Sequence, residues 1–528
     1  NKLSDLHLYY TPTNISTNLN VSETYTEKEP RAGTKTTTDY SLGMTRAYTV
    51  DYKMTESLKS IKYSRNATSD LEHYRGYAWM AVRDLDPGIV TNSTENLSLT
   101  YTPALLDWLS PNFNYSAGYR WSKPLSSTID GANIGTALKF SSSLSLNPTK
   151  LVELVYKPPA KAPVRRARGA VEDEEIQKKE KSAADKPVLR KIHELSKNIN
   201  PISFRYSSNL NRSGIGVQGE VPAGYKFGWL PDHGLTHAAD VGSNTGDWSH
   251  DQDIGLNSGF KLTKSITTTL GFSQRISSSI GGTGVETRTL TRDLLPYGDR
   301  LENGIPFPSW SLRWTGLQEL PLIKKIARTV TLDHSFKGSE NHNWRFDDIV
   351  LDDMPLLTVG SFIDDYEDYE RSSKVSANFA PLLGVTMALN KGISVNTRVN
   401  YSKAVDRLEN GFTKKIDKSL TSSANYSHKG GLSIPLPFMK DFNIQNTVTF
   451  TFNFDYNESE TRKTNDIAEG FTLDREMTSW KAGLRISYTF TSKVSGGVIY
   501  EYRESDNNIS GRKIDRDFGF DVNIAISG

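Results

Sequence analysis

The stretch Phe442-Asn-Ile-Gln-Asn-Thr-Val-Thr-Phe-Thr-Phe-Asn-Phe-Asp-Tyr456 decides the fold. One parity carries Phe442, Ile444, Val448, Phe450, Phe452, Phe454 and Tyr456; the other carries Asn443, Gln445, Thr447, Thr449, Thr451, Asn453 and Asp455. Successive side chains of a strand point to opposite faces, so this period of two describes a strand with one apolar and one polar face. Further on, Trp480, Ala482, Leu484, Ile486, Tyr488 and Phe490 alternate with Lys481, Gly483, Arg485, Ser487 and Thr489. Phe518, Phe520, Val522, Ile524 and Ile526 do the same against Asp517, Gly519, Asp521 and Asn523.

Working outward, composition separates a wet-cored membrane sheet from other all-β classes. The 528 residues carry a net charge of +2, with 36 % hydrophobic and 10 % aromatic residues and a mean hydropathy of −0.51. No window approaches the roughly 20 consecutive apolar residues of a spanning helix, so any membrane span must be a strand. The chain has no cysteine, which excludes disulfides, thiolate metal sites and cysteine nucleophiles. It starts at Asn1 without the basic-then-apolar form of a signal peptide, and is expected to be a fragment or a processed chain.

A soluble sandwich also alternates, so the connections discriminate. Four turns share one form, an apolar residue, three small or polar residues and another apolar residue: Met54 to Leu58, Leu262 to Ile266, Leu389 to Ile393 and Phe490 to Val494. The connections Asn209 to Gln252, Ser277 to Ile305, Lys337 to Arg371 and Asn457 to Met477 are long and polar. Short turns on one side and long loops on the other predict an antiparallel transmembrane outer-membrane β-barrel, with the short side periplasmic. The alternating segments predict about 18 strands of roughly ten residues, the length a tilted span needs. Strands are expected over 1–147 and 201–528, the latter with long extracellular loops. Parity places both chain ends and the 148–200 connection in the periplasm. That connection holds Pro158, Pro159, Arg165, Arg166, Arg168 and the acidic run Glu172 to Glu175, with a short helix around Lys186 to Asn198. It reads as a charge-balanced linker or as a docking segment for a periplasmic partner. A second short helix is expected after Gly316, with Leu317, Leu320, Leu322, Ile323 and Ile326 as an apolar stripe beneath the wall.

Trp310, Trp314, Trp480, Tyr488, Tyr500 and Tyr502 are expected to form membrane-interface girdles. Asn443, Gln445, Thr447, Asn453, Arg485, Glu501 and Arg503 are expected to face the lumen, a wet wall that prefers no one substrate. The set His233, His237, His250 and Asp253 fits no zinc spacing, and Asp364, Asp365, Glu367, Asp368 and Glu370 lack the spacing of a calcium loop, so these read as solvated loop residues. His334 shares a face with Val330, Leu332 and Phe336 and reads as a wall residue rather than a general base. No catalytic constellation, cofactor site or nucleic-acid patch emerges.

Particular segments carry a resemblance. Tyr48 to Leu58 with Lys62 to Thr68, Pro306 to Leu317 with Leu320 to Lys325 and Val330 to His334, and Phe379 to Gly384 with Leu389 to Tyr401 resemble the outer-membrane translocon of the type IX secretion system. This is the SprA/Sov family of Bacteroidota, linked to gliding motility, and the resemblance is to its C-terminal part. It implies a barrel of about 36 strands, of which this chain supplies about half. It also implies passage of folded secreted cargo, with periplasmic plug and lateral-gate subunits as partners beside outer-membrane lipid. The chain departs from common outer-membrane barrels in ending Ile526-Ser527-Gly528 rather than on an aromatic residue. The rivals are a closed porin-like or plugged nutrient-uptake channel, a barrel enzyme, and a surface adhesin; the first predicts pairing of 14–25 with 515–527.

Overall fold

The computed structural model describes residues 7–28, 37–84, 86–104, 106–123, 129–157, 187–242, 246–282, 284–298, 301, 303–347, 363, 365–430, 432–436, 439–444, 446–490 and 494–524. The arginine and acidic clusters of the 148–200 insert, Gln445 and the last four residues lie outside these.

The first strands are β1 (Asn14–Lys28), β2 (Thr37–Tyr52), β3 (Leu58–Asp70), β4 (Ile89–Tyr101), β5 (Leu109–Ser122) and β6 (Ala132–Leu146), with a short helix, α1 (Ala78–Arg83), between β3 and β4. After the insert come β7 (Ile202–Val217), β8 (Trp248–Lys261), β9 (Ile266–Ile280), β10 (Glu286–Tyr297), β11 (Asn303–Pro306) and β12 (Ser309–Trp314). The chain continues through β13 (Ala327–Phe346), β14 (Glu370–Leu389), β15 (Ile393–Leu408), β16 (Gly411–Lys429), β17 (Leu432–Leu436) and β18 (Met439–Ile444). It closes with β19 (Thr447–Thr464), β20 (Thr472–Thr489), β21 (Val494–Asn507) and β22 (Gly511–Ile524). Twenty of these form one sheet, and β17 pairs only with β18. The pairings among the described residues are antiparallel and join neighbours along the chain, apart from the skips at β10–β13, β9–β12 and β16–β19, as in an up-and-down barrel wall. Among the described residues no helix is long and apolar enough to span a bilayer. The fold is all-β, of the outer-membrane barrel type.

The twenty strands occupy eighteen positions. β10 covers the upper part of β9, Glu286 opposite Ile280 down to Arg292 opposite Gln274, and β12 covers the lower part, Ser309 opposite Gly271 down to Trp314 opposite Ile266. On its other side β13 meets the same two segments. β10 and β12 are thus one descending strand interrupted by an excursion in which β11 folds back on the end of β10. At the break the Ser273 N–H donates to the Asp293 carboxylate at 2.8 Å, so a side chain satisfies a group the ladder leaves open. Gly338 is needed there, because a Cβ would stand 2.0 Å from the Leu294 carbonyl oxygen.

The four short turns lie at one end of the sheet. Thr55 and Thr263 close theirs in the same way, each hydroxyl accepting the N–H three residues on, at 2.8 Å from Leu58 and 3.1 Å from Ile266. The starts of β1 and the end of β22 lie at this end, as does the 148–200 connection.

The loops at the other end differ from the sequence expectation. Strand makes up most of the stretches Ser277 to Ile305 and Asn457 to Met477 and extends into the ends of Asn209 to Gln252 and Lys337 to Arg371, and β15 turns into β16 at residues 409–410. β13 and β14 run for 20 residues each, about twice the roughly ten a bilayer needs. The reason is that backbone pairing continues in water, whereas apolar alternation is enforced only where one face meets lipid. The 442–456 segment is also not one strand. Phe442, Asn443 and Ile444 belong to the separate β17–β18 ribbon, and β19 begins at Thr447. Pro435 and Pro437 just upstream are the signal, since proline is excluded from a central strand.

The stripe after Gly316 is a 3-10 turn (Leu317–Glu319) and a short helix (Pro321–Lys324). Only two of its five residues pack: Leu317 and Ile323 join Ala327, Val330 and Leu332, while Leu320, Leu322 and Ile326 are exposed.

The split strand makes a direct prediction. The Ser279 and Thr287 hydroxyls are 2.7 Å apart across β9–β10, and those of Thr269 and Ser311 are 2.6 Å apart across β9–β12. In this cysteine-free chain, the double variants Ser279→Cys/Thr287→Cys and Thr269→Cys/Ser311→Cys should each oxidise to an intramolecular disulfide, visible as a gel-mobility shift reversed by reductant. The mismatched pair Thr269→Cys/Thr287→Cys should stay reduced.

Candidate channel wall

The register lines up apolar residues into rows across the sheet. Ile393, Tyr426, Phe450, Ile486, Val498 and Phe520 stand opposite one another in succession from β15 to β22. At the other edge Ile15, Val50, Tyr63, Leu97, Ala117, Leu138 and Leu210 do the same from β1 to β7. Three of these are exposed, Ile15 at 69 %, Val498 at 43 % and Phe520 at 81 %, as are Phe452 and Tyr500 on the same face. Leaving such a side chain in water rather than in apolar surroundings costs roughly 1.5–3 kcal/mol each, so a continuous face of them requires a non-aqueous neighbour.

The opposite face is polar and concave. One recess is lined by Asn114 on β5, Ser143 on β6, Arg205 on β7, Asp253 on β8, Ser309 on β12 and Lys337 on β13. β5 and β13 are six strand positions apart, about 29 Å if the sheet were flat, so only a sheet curled toward this face can bring their side chains to one recess. Two further recesses, around Asn96, Ser116, Asn209 and Asp251 and around Asp455, Lys481, Arg503 and Asp515, also lie on this face.

The aromatic residues assigned to girdles occupy three levels. Tyr488 packs on Phe490 beside a short turn (ring centroids 4.7 Å), and Trp314 lies opposite Ile266, the first residue after another. Trp480 stacks on Tyr502 at 4.7 Å, eight residues above Tyr488 along β20. For a strand tilted about 40° that separation is roughly 20 Å in height, close to the roughly 25 Å apolar band of outer-membrane barrels. Tyr500 lies between these levels, opposite Leu484 and Phe518. Trp310 is also intermediate and packs face to face on Phe336 at 4.2 Å, with Phe379 4.8 Å beyond. His334 sits 5.9 Å from the Phe379 ring, its Nδ1 2.7 Å from the Leu382 carbonyl.

On the polar face, Arg485 reaches diagonally across β21 to Asp521 on β22, with Nη2 3.0 and 3.1 Å from the two carboxylate oxygens. Gly497 lies beneath that bridge; a Cβ there would come within 3.1 Å of the Asp521 oxygen. Glu501 pairs with Lys481 at 2.6 Å and with Arg503, which also meets Asp517 at 3.3 Å. Asn453 stands opposite Ser423 and Gly483, and Thr447 opposite Lys429. Asn443 belongs to the β17–β18 ribbon rather than to this wall, and Gln445 lies outside the described residues. The wall is therefore a field of alternating charges, largely neutralised in pairs, between amide and hydroxyl side chains. Parity would also have found Lys481, Asp517 and Asp521; the role of Gly497 needs the three-dimensional register.

Toward the long-loop end, segments fold back over the apolar parity. Tyr225, Val221 and Val217 pack on Tyr119 and Ile134, and Lys226 pairs at 2.7 Å with Glu95, which also accepts from Tyr63 at 3.1 Å. The strap thus neutralises a carboxylate that the sheet places on its apolar side. Of His233, His237, His250 and Asp253, His233 packs against both His237 and Tyr225, while His250 lies on β8 and bonds Ser208 on β7.

The acidic run before β14 is not simply solvated. Glu370 is buried and receives His342 Nδ1 at 2.5 Å and Arg407 at 3.2 Å, while Arg407 also meets Glu367 at 3.1 Å. His342 lies 3.5 Å from Glu340, which pairs with Arg292. This cluster is fifteen residues above the start of β13, beyond the apolar band. Burial alone would lower the His342 pKa, but the two carboxylates overcome it and push it up to about 9. Burial would likewise raise Glu340, yet His342 and Arg292 hold it below its ordinary value. The spacing of these residues over five elements gave no local sequence signal.

No family model matches the chain, and no curated protein matches it. Among solved structures, it is similar to the siderophore receptor PirA from Pseudomonas aeruginosa, with 9 % identity over 97 % of this chain and 81 % of that one, at a TM-score of 0.25. The siderophore receptor PirA from Acinetobacter baumannii gives 9 % identity over 88 % and 66 %, at a TM-score of 0.22. The barrel-wall architecture follows from the strand ladder and its two faces.

The His342 cluster should make the upper part of β13 pH-sensitive. Because its folded pKa lies above the ordinary 6.5, the charged imidazole contributes fully below about pH 6.5, and that contribution is lost as pH rises through about 9. Amide hydrogen exchange over 339–346, corrected for intrinsic rates, should accelerate across this window. His342→Gln should remove the pH dependence and cost on the order of 3 kcal/mol at neutral pH, since two buried carboxylates lose their shared cation.

Proposed function

We propose that this chain is part of the wall of an outer-membrane, protein-conducting translocon of the type IX secretion kind, passing folded cargo to the cell surface. The observation that carries the reading is the pair of open edges. β1 pairs only with β2 and β22 only with β21 among the described residues, although both are regular strands of 14 or 15 residues. A bilayer tolerates no unpaired strand edge, so each edge calls for further strands. Eighteen positions bounded by two edges suit half of a barrel of about 36 strands, whose lumen is wide enough for a protein domain because diameter rises with strand number.

The concave face supports the same role. Many of its charges are paired with one another, and small, hydroxyl and amide side chains lie between them, so passing protein surfaces of either sign meet no strong trap. Energy and gating come from elsewhere in this reading, through periplasmic plug and lateral-gate subunits.

Closure is the test. Cysteines placed along both edges, such as Ile15→Cys with Val522→Cys and Thr17→Cys with Phe520→Cys, should form no intramolecular disulfide in the native particle. A cryo-EM map should show additional strands against both β1 and β22. Disulfides joining the edges, in a closed barrel of eighteen strands, would replace the translocon by a porin-like or nutrient-uptake channel.

A further inference from the structure

The insert between β6 and β7 begins with α2 (Pro148–Val152), continuing in turns to Tyr156, and ends with α3 (Pro187–Ser196). α3 is built the opposite way round from a helix of a water-soluble domain. Its polar residues His193 and Ser196 face inward and are buried, whereas Val188 is 68 %, Ile192 43 % and Leu195 64 % exposed. The spacing of these three, i, i+4 and i+7, puts them on one stripe.

The inward contacts explain the inversion. His193 Nε2 lies 3.3 Å from the Glu153 carboxylate, with the buried Tyr156 ring edge-on to the imidazole at 6.1 Å. The Thr149 hydroxyl donates to the Ser196 carbonyl at 3.1 Å. The two helical segments thus hold each other through polar and aromatic groups. Leu151, Leu154 and Val155 are left exposed like the α3 stripe, with Val155 at 75 %.

Two observations identify what covers this surface. Its rim is basic: Lys150, Lys157, Arg190, Lys191 and Lys197 against Glu153 and Glu194, five cations to two carboxylates. It is also continuous with the apolar face of the sheet. The Asn200 N–H donates to the Gly259 carbonyl at 2.8 Å and the Lys261 N–H to the Asn198 carbonyl at 2.7 Å, while Ile199 bridges to Phe260. These bonds pin the end of α3 to the short-turn end of β8, beside exposed Leu256 and Leu262. An apolar stripe with a cationic rim, fixed where the lipid-facing band ends, has the composition of an interfacial segment.

We infer that α2 and α3 form a foot lying in the phospholipid leaflet on the short-turn side. Leu154, Val155, Val188, Ile192 and Leu195 sit among the acyl chains, and the lysines and arginine sit at the phosphates. The inference rests on the reading of the sheet as a membrane wall, and the test separates the two.

The native sequence has no cysteine, so single cysteines report without background. The variants Ile192→Cys, Leu195→Cys, Arg190→Cys and Glu194→Cys, with Val498→Cys on the apolar face as reference, are labelled with an environment-sensitive fluorophore. The full-length protein is placed in bilayer nanodiscs of phosphatidylcholine and phosphatidylglycerol. Lipids brominated on the acyl chain should quench the probes at 192 and 195 at least about twofold more than those at 190 and 194. Iodide should show the reverse order. Equal iodide quenching at all four helix positions would overturn the foot in favour of a solvated linker. Protection of 192 and 195 from both quenchers would overturn it in favour of a protein partner. Failure of brominated lipid to quench at Val498 would overturn the wall itself, and the foot with it.

Discussion

Everything in this structure follows from the cost of an unpaired peptide group away from water. A sheet surrounded by lipid must satisfy each N–H and C=O on neighbouring strands, because several kcal/mol attach to each group left open in hydrocarbon. The continuous ladder from β1 to β22 is the response. Where the ladder is broken between β10 and β12, a carboxylate from Asp293 takes the place of the missing strand. With the backbone satisfied in this way, side chains are free to make one face for lipid and the other for water.

That division of labour explains which parts of the fold were legible in the sequence. Phe450, Phe452 and Phe454 against Thr449, Thr451 and Asn453 announce a strand because two different solvents act on its two faces. Above the band both faces meet water or a covering loop, and the alternation fades while the pairing continues, so β13 and β14 outrun their sequence signature. The Phe442 to Ile444 segment carried the right parity for the wrong reason, since a two-stranded ribbon alternates as well as a wall strand does. The two prolines upstream held the better information.

The candidate wall was legible to the same degree. Arg485, Glu501, Arg503, Lys481, Asp517 and Asp521 all follow from parity alone, whereas which of them pair, Arg485 with Asp521 and Glu501 with Lys481, depends on register between strands. Glu95 with Lys226, and His342 between Glu340 and Glu370, join residues 131 and 28 positions apart or fewer. Such pairings arise when a loop returns to the sheet, and no periodicity records where a loop returns. Trp310 and Tyr500 show a related limit: amphipathic rings were recognisable, but their heights depend on where each turn begins.

The divided strand has a mechanical meaning. Elsewhere neighbouring strands pair directly along one run, broken at most by bulges, and β15 and β16 do so without a break from Ile393 to Leu408. Between β9 and β13 the load is instead carried by two short patches, separated by the outward detour that presses against Gly338. A wall that has to dilate or admit something sideways would meet here a seam already parted in its middle, with polar side chains present at the tear.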